Sequence, residues 1–135
     1  MNAPLTASER AAGRRETVLV VDDEPFMCKA AAAMLKALGH DPHAVCSGEE
    51  AVASVQREPG RFTCALVDYS MTPMDGPACS RALRAAAPGL RVLIMTGYNL
   101  DDEADALHAE GVAAVIQKPL TLDVLRHHIG VGTAG

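Results

Sequence analysis

Asp22 and Asp23, Asp68, Thr96 and Lys118 each stand directly after a short apolar run, or two positions beyond one, in a chain of 135 residues. The runs are Val18-Leu-Val-Val21, Cys64-Ala-Leu-Val67, Val92-Leu-Ile-Met95 and Ala113-Ala-Val-Ile116. Brought together, these residues would offer three carboxylates, a hydroxyl and an ammonium. Carboxylates at close range repel, and burial raises their pKa values further unless a cation sits among them. A hard divalent ion meets that need. Mg2+, with Mn2+ as the alternative, takes a few carboxylates, waters and a phosphoryl oxygen in preference to a full protein cage. One carboxylate of such a set can attack phosphorus and become an acyl phosphate. The ammonium and hydroxyl would then hold the phosphoryl oxygens.

Each feature is ordinary by itself. An acidic pair after a strand reads as a loop or helix cap, Thr96-Gly97 as a turn, and Lys118-Pro119 as a solvated strand end. The elements that carry them decide. The first apolar run is the pattern of a strand buried on both faces. Met27, Ala31, Met34, Leu35 and Leu38 then recur at helical spacing, and Gly39 stops that helix. A weaker strand is expected near His43-Ala-Val-Cys46, with Pro42 at its edge. Ser47 is placed to cap a short helix bearing Ala51, Val52 and Val55, which ends before Pro59-Gly60. Cys79, Ala82, Leu83 and Ala86 stripe a further helix, closed by Pro88-Gly89. A polar helix with Ala104 and Leu107 runs to Gly111, and Thr121 caps a last one through Leu122, Leu125 and Ile129.

Five strand-then-helix units with short connections imply a parallel sheet between two layers of helices. In an open sheet of this kind, sites form beyond the carboxyl ends of the strands. The acidic pair, Asp68, Thr96 and Lys118 all fall there, so the set reads as a phosphoacceptor site. The second strand, ending in Cys46-Ser47, adds nothing distinctive.

Composition bounds the rest. The length suits one domain with one core, built from aliphatic side chains because tryptophan is absent and only two tyrosines and two phenylalanines occur. Residues 1–16 read as a flexible leader, 17–130 as the domain and 131–135 as a flexible tail, with no room for an output domain. A net charge of −5 argues against a nucleic-acid surface, which needs clustered Lys and Arg. No membrane span or signal-peptide core is visible. Cys28, Cys46, Cys64 and Cys79 are widely spaced and read as free thiols of a cytoplasmic protein. His127 and His128 adjoin on a helix and so point apart, which disfavours a shared metal. None of the histidines is placed as a phosphodonor.

The chain resembles the receiver domains of two-component response regulators. The resemblance covers about residues 17–129 and rests on Val20-Val-Asp-Asp-Glu-Pro25, Val67-Asp-Tyr-Ser-Met-Thr-Pro-Met-Asp-Gly76, Met95-Thr-Gly-Tyr98 and Gln117-Lys-Pro-Leu120. It implies a flavodoxin-like (βα)5 doubly wound sheet of strand order 2-1-3-4-5. It implies Asp68 as phosphoacceptor and Asp23 as a direct Mg2+ ligand, with Asp22 positioning a water of the metal. Asp68 and the backbone carbonyl of Ser70 complete the protein oxygens. Thr96 becomes the switch hydroxyl and Lys118 the ion-pair partner of Asp68, with a cis Lys118-Pro119 peptide. Asp75 is left as structural or a helix cap. The donor would be a histidine kinase or histidine phosphotransfer protein. A downstream protein would read the face made by the fourth helix, fifth strand and fifth helix, on a monomer or weak dimer.

Two positions depart from the family pattern. Met71-Thr72 stands where Met-Pro is common, with Pro73 one place later. Val115 occupies the position of an aromatic that moves with the switch threonine in many receivers, and Tyr98 is the aromatic placed to substitute. Other readings are a receiver taken from a hybrid histidine kinase, a scaffold without phosphoryl chemistry, or an aspartyl-phosphate phosphatase. The phosphatase would need an aspartate at Ser70. A flavodoxin-like cofactor protein would need a hydroxyl- and glycine-rich phosphate loop after the first strand.

Overall fold

The structure is a computed structural model that describes residues 14–132. Among them the chain alternates β1 (Thr17–Val21), α1 (Pro25–Ala37), β2 (Asp41–Val45), α2 (Gly48–Arg57), β3 (Cys64–Asp68), α3 (Gly76–Ala86), β4 (Arg91–Thr96), α4 (Asp101–Ala109), β5 (Ala114–Gln117) and α5 (Leu122–Ile129). The five strands form one sheet in the order β2-β1-β3-β4-β5, and every pairing is parallel. This is the flavodoxin-like order that the motifs imply. Strand β2 begins earlier than its apolar residues suggest and contains Pro42. Within the sheet β2 is paired to β1 alone, and an edge strand tolerates a residue without an N–H.

Alternation along the strands sorts the core into layers. Val18, Val20, Leu66, Leu93 and Met95 face α1 and α5, where they meet Leu35, Leu125 and Ile129. Leu19, Val21, Ala65, Val67 and Val92 turn the other way, against Ala51, Val55, Cys79 and Leu83 of α2 and α3. Ile94 completes that second face with Leu100, Leu107 and Val112 around α4. Covering both faces leaves the carboxyl edge of the strands as the open rim of the sheet. Asp22, Asp68 and Thr96 emerge there from central strands that are almost wholly buried.

Both ends of the domain reach further than the sequence suggests. Glu16, expected in the leader, is 5% exposed and pairs with Arg91 at 3.3 Å. Its amide donates to His40 Nδ1 at 3.1 Å, while His40 Nε2 lies 2.7 Å from the Gly130 carbonyl and so carries the ring proton. Residue Val131, expected in the tail, packs against the first core layer, and the Gly132 amide donates to Leu38 at 2.7 Å. Gly39, with φ +87°, is needed in this clasp: a Cβ there would lie 2.0 Å from the Gly132 carbonyl oxygen. The rest of the expected leader and tail lies outside the described residues.

Candidate functional site

Strand β1 delivers Asp22 into the interior at 1% exposure and leaves Asp23 exposed at the rim. The Asp22 amide continues the sheet ladder to Val45 at 3.3 Å. One carboxylate oxygen, Oδ1, accepts from the Glu24 amide at 3.0 Å, and the other faces Lys118 Nζ at 3.4 Å. Strand β3 delivers Asp68, 6% exposed, with Oδ1 lying 3.1 Å from the same ammonium. Oxygens of Asp22, Asp23 and Asp68 all lie within 4.8 Å of one another. Asp23, Asp68, Ser70 and Lys118 line an open cleft of about 410 Å³, joined by Glu24, Gly97 and Tyr98.

Electrostatics follow from this crowding. Burial raises the pKa of Asp68, the hydrogen bond and charge of Lys118 oppose it, and the Asp22 and Asp23 carboxylates add to the rise. The net direction is upward, so one lysine does not offset burial and two like charges. Burial alone would lower Lys118, but the hydrogen bond to Asp68 and the charge of Asp22 hold its value above the ordinary one. The lysine is thus firmly protonated while Asp68 remains under-compensated. A hard cation fits that deficit, and the all-oxygen donor set suits Mg2+.

The loop after Asp68 is pinned from several sides. The Tyr69 amide donates to Met95, the Gly76 amide returns to the Tyr69 carbonyl at 2.9 Å, and Met71 is buried in the second core layer. Gly76 is required by proximity: a Cβ there would lie 2.6 Å from the Asp68 carbonyl oxygen and 2.7 Å from Tyr69 Cα. Asp75 caps α3, its carboxylate accepting from the Ala78 amide at 2.9 Å, and so is spent on the helix. The Thr72-Pro73 peptide is cis, a feature the displaced proline did not announce. Lys118-Pro119 is also cis, as the resemblance implies.

Thr96 ends β4 at 1% exposure. Its hydroxyl oxygen accepts from the Tyr98 amide at 3.0 Å, and its carbonyl receives the Lys118 amide at 2.7 Å. Val115 is half-buried against the Ile94 layer, and a pocket of about 170 Å³ opens between it, Thr96, Leu100 and Ala104. Tyr98 borders both this pocket and the acidic cleft, yet its side chain is 66% exposed.

All the expected site residues therefore converge at one edge. Glu24, to which the sequence pattern gives no role, lines the cleft and fixes an Asp22 oxygen through its amide. Its place beside the acidic pair was the available signal. Cys28 also touches the site. That thiol donates to the Asp22 carbonyl at 3.1 Å, and burial, with Cys46 and Asp22 nearby, pushes its pKa up to about 11.

The response regulator receiver domain model matches residues 18–130. The transcriptional regulatory protein ZraR of Salmonella typhimurium is 34% identical over 110 residues, covering 81% of this chain and 24% of the relative. The sensor kinase CckA of Brucella abortus is 29% identical over 130 residues, covering 92% of this chain and 14% of the relative. The chain thus spans less than a quarter of the length of either relative. Among solved structures, the receiver domain of a sensor histidine kinase from Pseudomonas aeruginosa PAO1 superposes with a TM-score of 0.74 at 26% identity. That match covers 85% of this chain and 94% of the other, which holds a magnesium ion coordinated in its active site cleft. With the family model matched over nearly the entire described fold, the chain belongs to the response regulator receiver domains.

Proposed function

We propose that this receiver accepts a phosphoryl group on Asp68 from a phosphohistidine of a histidine kinase or histidine phosphotransfer protein. The observation that carries the proposal is the Asp68–Lys118 contact of 3.1 Å beside two further carboxylates. Asp22, Asp23, Asp68 and the Ser70 backbone carbonyl would hold Mg2+, which when bound offsets their charge and that of the phosphoryl oxygens. An Asp68 oxygen forms the new bond to phosphorus as the donor's P–N bond breaks, and the electron pair of that bond stays with the imidazole. Lys118 remains protonated and stabilises the phosphoryl charge, as electrostatic preorganisation requires. Thr96 supplies a hydroxyl to the product. Hydrolysis later returns Asp68 to its free form, so the domain acts as a switch and not as an enzyme on general phosphate esters. Ser70, exposed where a phosphatase would place its acid–base aspartate, supports that division.

The surroundings of the cleft suit a protein donor. Phe26, Tyr98 and Leu122 are 80%, 66% and 46% exposed, and each lies within four positions of a site residue. A protein that brings a histidine to Asp68 would meet Tyr98, which borders the cleft. Output then passes by protein contact through the α4-β5-α5 face, with Tyr98 as the coupling aromatic in place of Val115. Among the described residues no helix is long and apolar enough to cross a membrane. Incubating the chain with a phosphorylated histidine phosphotransfer protein, and separately with a generic phosphate ester, tests the reading. Label transferred from the first without turnover of the second is expected. Sustained ester hydrolysis would favour the phosphatase.

A further inference from the structure

Directly behind the acidic pair lie two cysteines that the phosphoryl chemistry does not use. Cys28, in the first turns of α1, is 3% exposed, and its sulfur reaches the Asp22 carbonyl at 3.1 Å and the Val45 carbonyl at 3.4 Å. Val45 is the last residue of β2, and the next residue is Cys46, which is exposed. The Cys46 backbone is held in place, its amide donating to the Glu50 carboxylate at 3.0 Å while Ser47 caps α2. An exposed thiol thus sits on the peptide group that a buried thiol already touches. Cys64 and Cys79 are buried on opposite faces of the sheet. No disulfide joins any of the four.

We propose that Cys46 and Cys28 form a reversible redox pair in which an oxidised Cys46 is captured by Cys28 as a disulfide. The oxidant is a hydroperoxide. The Cys46 sulfur attacks the terminal peroxide oxygen, the O–O bond breaks, the other oxygen takes the Cys46 proton and leaves as an alcohol or water, and Cys46 becomes a sulfenic acid. The Cys28 sulfur then attacks the Cys46 sulfur, forming the S–S bond and releasing the hydroxyl as water with the Cys28 proton. Two thiols are oxidised to one disulfide, and one hydroperoxide is reduced to an alcohol and a water, or to two waters where it is hydrogen peroxide. Exposed cysteine beside a resolving partner is the arrangement of redox sensors, and transient disulfides of this type occur in reducing compartments. The disulfide removes the S–H that donates to the Asp22 carbonyl and ties the end of β2 to α1. Oxidation is therefore expected to slow phosphorylation of Asp68, a consequence that rests on the phosphoacceptor reading.

The test treats the full chain with a small excess of hydrogen peroxide, followed by peptide mapping without reductant. A Cys28–Cys46 crosslink is expected, lighter by two hydrogens, reversed by dithiothreitol and absent in Cys46→Ser, with Cys64 and Cys79 still thiols. Sulfinic acid on Cys46, or dimers through Cys46 with Cys28 still a thiol, would overturn the pairing. Phosphorylation by acetyl phosphate is expected to be several-fold slower in the crosslinked parent and unaffected by peroxide in Cys46→Ser. An unchanged rate in the crosslinked chain would overturn the link to Asp22. If the reduced chain takes up no phosphate, the phosphoacceptor reading fails, and the crosslink map still decides the pairing.

Discussion

The hydroxyl oxygen of Thr96 accepts a hydrogen bond from the amide of Tyr98 at 3.0 Å, so the proposed switch hydroxyl is tied to the backbone of the aromatic proposed to follow it. If Thr96 turns toward a phosphoryl group, that bond must break. The Tyr98 amide resonance is expected to shift strongly when Asp68 carries phosphate or beryllofluoride, and to shift far less in Thr96→Ala. Tyr98→Ala should weaken partner binding in the phosphorylated state while leaving phosphoryl uptake in place. Unchanged partner binding would count against Tyr98 as the coupling residue.

The raised value of Asp68 sets a pH dependence. Folding prefers its protonated form, so its contribution is present in acid and lost as pH rises through the folded value. At neutral pH, without divalent ions, the ionised carboxylate opposes folding. Asp68→Asn is therefore expected to raise the melting temperature at pH 7, and the gain should shrink on acidification. Equal gains at all pH values would contradict the assignment of repulsion to this carboxylate.

Lys118 has the same sign of pH dependence in a higher pH range, although here the charged form is the one that folding favours. Its folded value is raised, so its stabilisation is complete below the unfolded value and fades as pH climbs through the folded one. Lys118→Ala would leave Asp22 and Asp68 without their cation and should cost about 1–3 kcal/mol at pH 7. Urea unfolding at neutral and at alkaline pH measures both the loss and its decline.

Divalent ions should act on the same deficit. Mg2+ is expected to raise the melting temperature of the parent by mass action, and Asp23→Ala should abolish most of that shift. Because Asp23 is exposed, this variant should fold like the parent when no divalent ion is present. An undiminished Mg2+ shift would remove Asp23 from the metal site.

Gly76→Ala tests the support of the loop. The new methyl meets backbone atoms of Asp68 and Tyr69, which cannot step aside as a flexible side chain would. A loss of about 1–3 kcal/mol is expected. Phosphoryl uptake should also slow, since the strain falls on the acceptor's own peptide group.

Much of this was legible because the chemistry sits on periodic elements. Four apolar runs located the strand ends, and Asp22, Asp23, Asp68, Thr96 and Lys118 could be read from them with Ser47, Asp75 and Thr121 as helix caps. What stayed hidden depended on contacts across the fold. Glu16 gives no periodic signal, and its burial depends on Arg91 and His40, far away in sequence. The Gly39–Gly132 approach is likewise invisible without the register that joins α1 to the end of α5. Cys28 reads as one of four widely spaced free thiols because only the parallel pairing of β1 with β2 brings Val45 and Cys46 beside it.

The most direct test is intact-mass analysis after incubation with acetyl phosphate and Mg2+, comparing the parent chain with Asp68→Asn. A single phosphoryl adduct that requires Mg2+ and is absent from the variant is the predicted result. An adduct of equal yield in Asp68→Asn, or one indifferent to Mg2+, would contradict Asp68 as the acceptor in this site.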